Sequence, residues 1–193
     1  RIATPLDDIR IEIDDPDRRF RLDLRYRAAL PPVGRPGGHH FTQLMKTSGE
    51  LVLDGKRYAI DGFYMRDRSW GYRRPEQPER TPPYRWMTGW FGADSGFVVA
   101  WLDTGLLDAE EFGPNWNRVV AGEDAAGKNK WESGGATPSL NLRSGWFAID
   151  GKPRPVVRLD VRTQLQDGSA LKVKAIELEI EDAIGAVHQV SGE

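Results

Sequence analysis

The residues most able to carry chemistry lie in one short block, Arg66-Asp67-Arg68-Ser69-Trp70-Gly71. A carboxylate between two arginines stays ionised if they reach it, whereas burial raises its pKa and suits it to general acid catalysis. Because neighbours along a strand point to opposite faces, an extended chain places Arg66 and Arg68 on the face opposite Asp67. The block therefore indicates either an acid catalyst centred on Asp67 or a buried polar knot closed by Trp70.

A histidine pair, His39-His40, begins the strand that leads into this block. The intervening Asp54-Gly55 favours a tight hairpin turn, which folds the two strands against each other. Residue numbers that face each other across an ideal two-residue turn then sum to about 109, so Asp67 pairs near Thr42. His40 lies diagonally across from Asp67 in that register. We therefore expect Asp67 to be buried, with a raised pKa, and close to one of these histidines, which are either its catalytic partners or structural residues.

The chain is rich in tryptophan, with seven in 193 residues. Core packing is the default interpretation, because large aromatic side chains commonly fill barrel interiors. The functional alternative is an aromatic-lined cavity for an apolar ligand, or a platform that stabilises a carbocation. Under that alternative, the substrate-binding residues are Trp70, Trp86, Trp90, Trp101, Tyr64, Gln43 and Arg66.

Several classes of site are excluded or disfavoured. The absence of cysteine removes disulfides, thiolate metal sites and a cysteine nucleophile. The histidines, of which His188 is the third, are too few and too scattered for a zinc site. The chain has no phosphate-binding glycine loop, dinucleotide fingerprint or metalloprotease helix motif. We therefore expect no metal and no cofactor.

Length and composition suit a soluble globular protein, with 39% hydrophobic and 29% charged residues. The net charge of −2 gives no global attraction to nucleic acid, so we expect no nucleic-acid partner. No apolar stretch approaches the roughly 20 residues of a membrane-spanning helix, so we expect no membrane span. The chain starts at Arg1 without an initiator methionine or a targeting signal, as a processed chain or fragment would. The compartment is not fixed, although the cytoplasm is slightly favoured.

Apolar and charged residues alternate with period two over much of the chain, which is typical of half-buried strands. Clear examples are Ile9–Ile13, Phe20–Tyr26 and Val157–Leu165, whose charged residues are expected to form a solvated outer face. Asp54-Gly55 predicts one hairpin, and Asp167-Gly168 predicts another.

Two further features belong to this strand pattern. Asp94-Ser95-Gly96 predicts a third hairpin, between Tyr84–Ala93 and Phe97–Asp103. After Asp167-Gly168, the apolar phase shifts near Ala175-Ile176. A β-bulge there would allow all of the following to face apolar surroundings: Leu171, Val173, Ile176, Leu178 and Ile180.

The remaining segments have loop composition. Leu30–Gly38 and Arg73–Pro83 are rich in proline or glycine, residues 121–139 predict a long mobile loop, and only Leu106–Phe112 has helical character. The pattern predicts an all-β fold, an antiparallel barrel or strongly curved β-sandwich, as one domain over residues 1–193.

Three segments resemble a bacterial sequence pattern: Gly49–Gly55, Tyr58–Gly62 and Arg66–Arg73. In that pattern a hairpin with Asp-Gly at its tip is followed by Arg-Asp-His-Ser-Trp-Gly-x-Arg. It occurs in the lipocalin-like superfamily that includes AttH-type proteins and carotenoid 1,2-hydratase. The likeness covers roughly residues 39–73. This sequence departs from it at Arg68, where histidine is usual, and has Met65 where the hydratase favours tyrosine.

The resemblance implies a lipocalin- or calycin-like fold with two barrel-like halves in full-length members, of which this chain would be the C-terminal one. It also implies that Asp67 protonates an isoprenoid double bond with help from His39 or His40. The expected function is a cofactor-independent lyase or isomerase acting on a hydrophobic, isoprenoid- or polyketide-like substrate. The alternatives are a non-catalytic carrier of a hydrophobic small molecule, or a half-domain completed by an N-terminal half or a second copy.

Overall fold

The computed structural model describes residues 2–34, 39–71, 84–102, 106–107, 116–122, 142–167 and 172–192. Every regular element in these ranges is a β-strand, the sheets are antiparallel, and one sheet curls into a half-barrel. The predicted all-β antiparallel fold is therefore confirmed. Where a short helix was expected, Leu106–Leu107 form a strand, and residues 108–112 lie outside the described ranges. In the described ranges no helix has the length and apolarity to cross a bilayer.

Fourteen strands are described, and they form two sheets. The first sheet has the order β1-β2-β3-β5-β4, with β6 paired to β5, and the second has the order β14-β13-β12-β11-β8-β7, with β10 paired to β12 and β9. The strands are β1 (Ile2–Thr4), β2 (Asp8–Asp15), β3 (Phe20–Ala28), β4 (Val33–Gly34), β5 (His40–Leu53), β6 (Lys56–Ser69), β7 (Tyr84–Trp90), β8 (Gly96–Leu102), β9 (Leu106–Leu107), β10 (Trp116–Gly122), β11 (Leu142–Ile149), β12 (Lys152–Leu165), β13 (Val173–Asp182) and β14 (Val187–Gly192).

The contacts within the chain group into two compact units. Unit 1 comprises Arg1–Tyr72, Gly89–Gly96 and Ala148–Pro153, and unit 2 comprises Arg73–Thr88, Phe97–Phe147 and Arg154–Glu193. The expectation of a single barrel-like domain that forms the C-terminal half of a larger protein stays a prediction. Of the loop expected at residues 121–139, the first two residues end β10 and the rest lie outside the described ranges.

In unit 1, the strands β2, β3, β5 and β6 pair in regular register, so alternate residues divide cleanly between two faces. One face, called the charged face below, carries ionised side chains. Its charged members are Asp8, Arg10, Glu12, Asp14, Arg21, Asp23, Arg25, Arg27, Lys46, Glu50, Arg57, Asp61 and Asp67.

Cross-strand ion pairs cover the charged face. Arg10 bonds to Asp23 at 2.6 Å, and Arg25 bonds to Asp8. The hydrogen bonds from these arginines hold the pKa values of the two carboxyls below their usual range. The same face holds an open groove of about 550 Å³, lined almost entirely by charged side chains. The expected solvated outer face is therefore confirmed for β2 and β3. It was wrong for Val157–Leu165, where Asp160 is 3% exposed and the Arg158 and Arg162 side chains are 26% exposed.

The opposite face of the four strands, called the apolar face below, is lined by aliphatic and aromatic side chains. Its members are Ile9, Ile11, Ile13, Phe20, Leu22, Leu24, Tyr26, Leu51, Leu53, Tyr58, Ile60 and Tyr64. Leu24 is buried, but Ile13 is 45% exposed and Tyr64 48% exposed. A sheet face with this composition is ordinarily packed against a second layer, so its exposure is a distinctive property of unit 1.

The Asp54-Gly55 hairpin forms as predicted. Both turn residues have positive φ angles, 52° and 79°, as the favoured two-residue hairpin turn requires. A second Asp-Gly turn, Asp150-Gly151, has nearly the same angles (51° and 72°) and joins β11 to β12. The sequence analysis missed this turn, although the dipeptide is the same local signal. The third predicted hairpin is also confirmed, because β7 and β8 are neighbours in the second sheet.

The predicted pairing of β12 with β13 is confirmed, while Gly168 of the expected tip lies outside the described ranges. The predicted irregularity is present: Gln164 faces Ala175 and Leu165 faces Val173, which leaves Lys174 as the extra residue of a bulge. After the bulge, Leu178 and Ile180 enter the unit 2 core. The expectation for Val173 was wrong. It precedes the bulge at the outer end of the hairpin and is 54% exposed.

Unit 2 has a core of large apolar side chains drawn mainly from β8, β12 and β13. The buried members of this core are Phe97, Val99, Trp101, Phe147, Val156, Leu159, Val161, Leu178 and Ile180. Leu159, Val161, Leu178 and Ile180 lie on two strands in direct register, as period-two burial requires.

The close approach of β3 and β5 at Gly49 gives a test of this fold. Gly49 has a φ of +146°, and a Cβ built there would lie 2.0 Å from the Asp23 carbonyl oxygen. We expect Gly49→Ala to lower the free energy of unfolding by about 2–4 kcal/mol, because the backbone must shift. The matched control is Gly62→Ala on β6, where a Cβ meets no atom within 4 Å. Urea unfolding of both variants is the measurement, and equal effects would contradict the described register.

Candidate functional site

The predicted catalytic residues His39, His40 and Asp67 lie at the open end of the β5–β6 hairpin. Both strands are 14 residues long and pair without interruption. Thr42 pairs with Asp67 and His40 with Ser69, as the turn-based register predicted. A further backbone bond, from the Trp70 N–H to the His39 carbonyl at 3.0 Å, extends the ladder beyond the strands. The positions of the site residues therefore follow from the turn at Asp54-Gly55.

On the charged face, His40 and Asp67 form a dyad. His40 Nε2 lies 2.7 Å from Asp67 Oδ1, so the predicted contact between the aspartate and a histidine is confirmed. The predicted burial of Asp67 was wrong, because its side chain is 46% exposed. Water can therefore solvate the carboxylate, although its neighbours on this face, Thr42, Leu44 and Met65, are buried. Asp67 therefore lacks the desolvation on which its proposed role as a general acid depended.

The dyad has a defined chemical capacity. A carboxylate that accepts a hydrogen bond from Nε2 fixes the imidazole tautomer and leaves Nδ1 as the free acceptor. This pairing of base and orienting group recurs in acid–base and nucleophilic catalysis. The large groove on the same face is lined by residues of β2, β3 and the middle of β5, not by the dyad.

Arg66, Arg68 and Trp70 lie on the opposite side of the hairpin, at the end of the apolar face, whereas Ser69 shares the charged face with Asp67. The Arg66 guanidinium lies over the Phe41 ring, 5.2 Å from its centroid. The Phe41 and Trp70 rings are neighbours, with their centroids 6.2 Å apart. His39 meets Trp70 edge-on at 6.3 Å. Gly71, with a φ of +88°, bends the chain here. Trp70 is 49% exposed, so it does not plug a barrel.

Two other residues that were predicted to bind the substrate, Tyr64 and Gln43, lie on the same side of the hairpin as Arg66. Tyr64 meets Tyr26 edge-on, with ring centroids 5.2 Å apart. Gln43 is fully buried, and its amide donates to the carbonyl oxygens of Leu6 and Leu30. Gln43 thus anchors two loops of unit 1, and its predicted contact with a substrate stays a prediction.

The tryptophans predicted to line a cavity are divided between the two units, with Trp70 and Trp90 in unit 1 and the other two in unit 2. Trp90 packs against Phe63 at 5.9 Å within unit 1 and is otherwise exposed. Trp86, in unit 2, is also exposed. Trp101 is buried in the unit 2 core, which matches the core-packing interpretation. A ligand contact for any of the three stays a prediction.

The sequence analysis missed a buried polar cluster around Asp182 in unit 2. The Asp182 side chain is 1% exposed and closes the turn between β13 and β14. It accepts hydrogen bonds from the backbone N–H groups of Ile184 and Ala186, both at 3.0 Å. His188 Nε2 and Arg154 Nη1 lie 3.1 and 3.2 Å from its second oxygen.

The electrostatics of Asp182 are those of a structural clasp. Burial by itself raises its pKa, but the hydrogen bonds from His188, the two backbone N–H groups and Arg154 lower the pKa to about 2. His188 is further fixed by stacking on Phe147, with ring centroids 4.0 Å apart. An aspartate shortly before a glycine is a recognised turn signal, but Arg154 is 28 residues distant and gives no local sign.

Asp182 makes stability depend on pH in a specific window. Because its pKa is lowered from 3.8 to about 2, its contribution is present above the unfolded value and is lost as the pH falls through about 2. We expect Asp182→Asn to cost about 3 kcal/mol at pH 7, because Arg154 loses its buried partner. The variant should also show a shallower loss of stability between pH 4 and pH 2, measured by urea unfolding.

Asp23→Asn is the matched control, since it removes an exposed ion pair on the charged face and should cost about 1 kcal/mol or less. An Asp182 variant that is no less stable than this control would contradict the clasp.

Comparison with known proteins gives one match. A family model described as a domain of unknown function, DUF7064, matches residues 1–193. No curated protein and no solved structure matches the chain. The curled antiparallel sheet is compatible with a lipocalin-like fold. Because the family model matches the chain from residue 1 to residue 193, the chain belongs to the DUF7064 family.

Proposed function

We propose that this chain binds a hydrophobic small molecule on the apolar face of unit 1, as a lipocalin-like carrier. The observation that carries the proposal is the exposure of large apolar side chains on one continuous sheet face, including Ile11, Ile13, Tyr58 and Tyr64. Contiguous exposed apolar patches on soluble proteins commonly mark binding surfaces. The likeness of residues 39–73 to AttH-type lipocalin-like proteins supports the same class of ligand.

Aromatic side chains give this face the means to hold a flat or extended ligand. Tyr26 and Tyr64 lie on different strands and meet edge-on over the strand between them. Phe41 and Trp70 continue the aromatic surface towards the open end of the hairpin. An extended apolar molecule lying across these rings would cover surface that is otherwise in water, which is worth about 25 cal/mol per Å².

Binding of a neutral apolar dye, Nile red, tests the proposal by its fluorescence. We expect saturable binding that Ile13→Ser and Tyr64→Ser each weaken by about tenfold, as the loss of roughly 1.4 kcal/mol of apolar contact implies. Both side chains are about half exposed, so the substitutions leave the fold intact. Glu12→Gln, on the charged face between Ile11 and Ile13, is the control and should bind as the parent does. Binding unchanged in both serine variants would overturn the proposal.

Acid–base catalysis by the His40–Asp67 dyad is the second candidate function, favoured by the 2.7 Å contact. It would serve a lyase or isomerase reaction of the kind that the AttH and hydratase likeness implies. The dyad and the apolar face lie on opposite sides of the hairpin, as the contacts of His40 and Phe41 show. A ligand on the apolar face therefore does not reach Asp67 directly, and the carrier is the stronger proposal.

The Asp67→Asn variant distinguishes a catalytic Asp67 from one that only stabilises the fold. Because the His40–Asp67 pair is partly exposed, we expect the substitution to change the free energy of unfolding by less than about 1 kcal/mol. If Asp67 is catalytic, the variant should also lose the turnover of a polyene substrate. That turnover is measured by the absorbance of the polyene. The control for both measurements is Asp61→Asn. Asp61 lies on the same strand as Asp67, and the substitution breaks its exposed cross-strand pair with Lys46. A loss of 1–3 kcal/mol in the Asp67 variant alone would identify a structural clasp.

A further inference from the structure

We propose that the ligand of the apolar face is an amphipathic acid, and that Arg66 binds its carboxylate. This inference rests on the proposed carrier function and specifies the class of ligand. It places the charged head group at the open end of the β5–β6 hairpin and the apolar tail along the sheet face.

The first argument is the state of the Arg66 guanidinium. Arg66 is partly buried, and its Nη1 atom is out of contact with water and has no hydrogen-bond partner among the described residues. Buried polar atoms are ordinarily satisfied, and an unsatisfied group of a charged side chain carries a high desolvation cost. Arginine presents a planar fork of donors that matches a carboxylate. Because Nη1 itself is closed to water, a ligand would contact the accessible edge of the guanidinium, and a carboxylate there would offset part of the cost of burying the charge.

The second argument is the distribution of charge between the two faces. The carboxylates in register on these four strands lie on the charged face: Asp8, Glu12, Asp14, Asp23, Glu50, Asp61 and Asp67. The exception is Asp15, which is at the β2–β3 turn and is paired with Arg18. The apolar side of the hairpin instead carries Arg66 and Arg68 at one end and Lys56 at the other. No carboxylate that pairs in register on these four strands therefore shares the face of Arg66 near its end of the hairpin.

The third argument is the geometry around Arg66. Its guanidinium lies over the Phe41 ring, and such stacking holds the cation in place while the edge of the plane stays available for hydrogen bonds. Tyr64, two residues along the same strand, lies on the same face and begins the apolar surface. A head group on Arg66 would therefore lead its tail past Tyr64 and Tyr26.

The test compares palmitate with its methyl ester, which has the same tail and no charge, by displacement of Nile red at pH 8. We expect the protein to bind palmitate at least tenfold more tightly than the ester, as one charged hydrogen-bonded pair implies. Arg66→Leu should remove this preference, chiefly by weakening the binding of palmitate. Arg66→Lys should retain part of it, because a lysine keeps the charge without the fork. Arg57→Gln, which removes an arginine from the charged face of the same strand, should keep the full preference.

The outcomes separate the two proposals. Equal binding of palmitate and ester by the parent protein, or an undiminished preference in Arg66→Leu, would overturn the role of Arg66 while the carrier function stands. Absence of saturable binding of either ligand and of Nile red would overturn both. Urea unfolding of Arg66→Leu establishes that the variant is folded at the temperature of the binding measurement.

Discussion

The register of the β5–β6 hairpin is the constraint on which the arrangement of unit 1 depends. A two-residue turn at Asp54-Gly55 fixes 14 cross-strand pairs, from Leu53 opposite Lys56 to His40 opposite Ser69. Because side chains alternate with period two, a slip of one residue would exchange the two faces of both strands. The positive φ angles of the turn thus determine, about 13 residues away, which face His40 and Arg66 occupy.

The separation of charge follows from that register. One side of the four strands carries interleaved arginines and carboxylates that neutralise one another in ladders of exposed pairs. Such pairs add little stability individually, but they keep this side wetted and unsuited to packing against an apolar layer. The other side holds the isoleucines, leucines and tyrosines. Unit 1 is therefore a sheet with a wetted ion-pair ladder on β2 and β3 on one face, and apolar side chains that gain from being covered on the other.

Much of this could be predicted from local pattern. The turn type at Asp54-Gly55 gave the Thr42–Asp67 pairing, and the phase shift near Ala175 gave the bulge on β13. The exposure of Asp67 could not be predicted, because the burial of a side chain depends on what packs over the strand and not on the strand itself. The Asp182 cluster escaped for a related reason, since Arg154 and His188 reach it from two other strands.

The turn at Asp150-Gly151 was not predicted, although the Asp-Gly dipeptide is a local sequence signal for it. The segment that leads into it, Gly145–Asp150, resembles Gly89–Asp94 in sequence. Both segments lead into hairpin turns, and the Gly151 N–H bonds to the Asp94 carbonyl oxygen at 3.0 Å. The short echo between the two segments therefore marks two strand ends of the same kind.

The clasp at Asp182 also bears on the order in which unit 2 assembles. The turn of β13 and β14 needs only nearby backbone groups, which can come together early, since short loops close quickly. Arg154 joins the same carboxylate from the start of β12, so its bond requires a much longer loop to have closed. Contacts completed after the rate-limiting barrier act mainly on the rate of unfolding. We infer that the Arg154 bond forms after that barrier and so prolongs the lifetime of the folded state without hastening its formation.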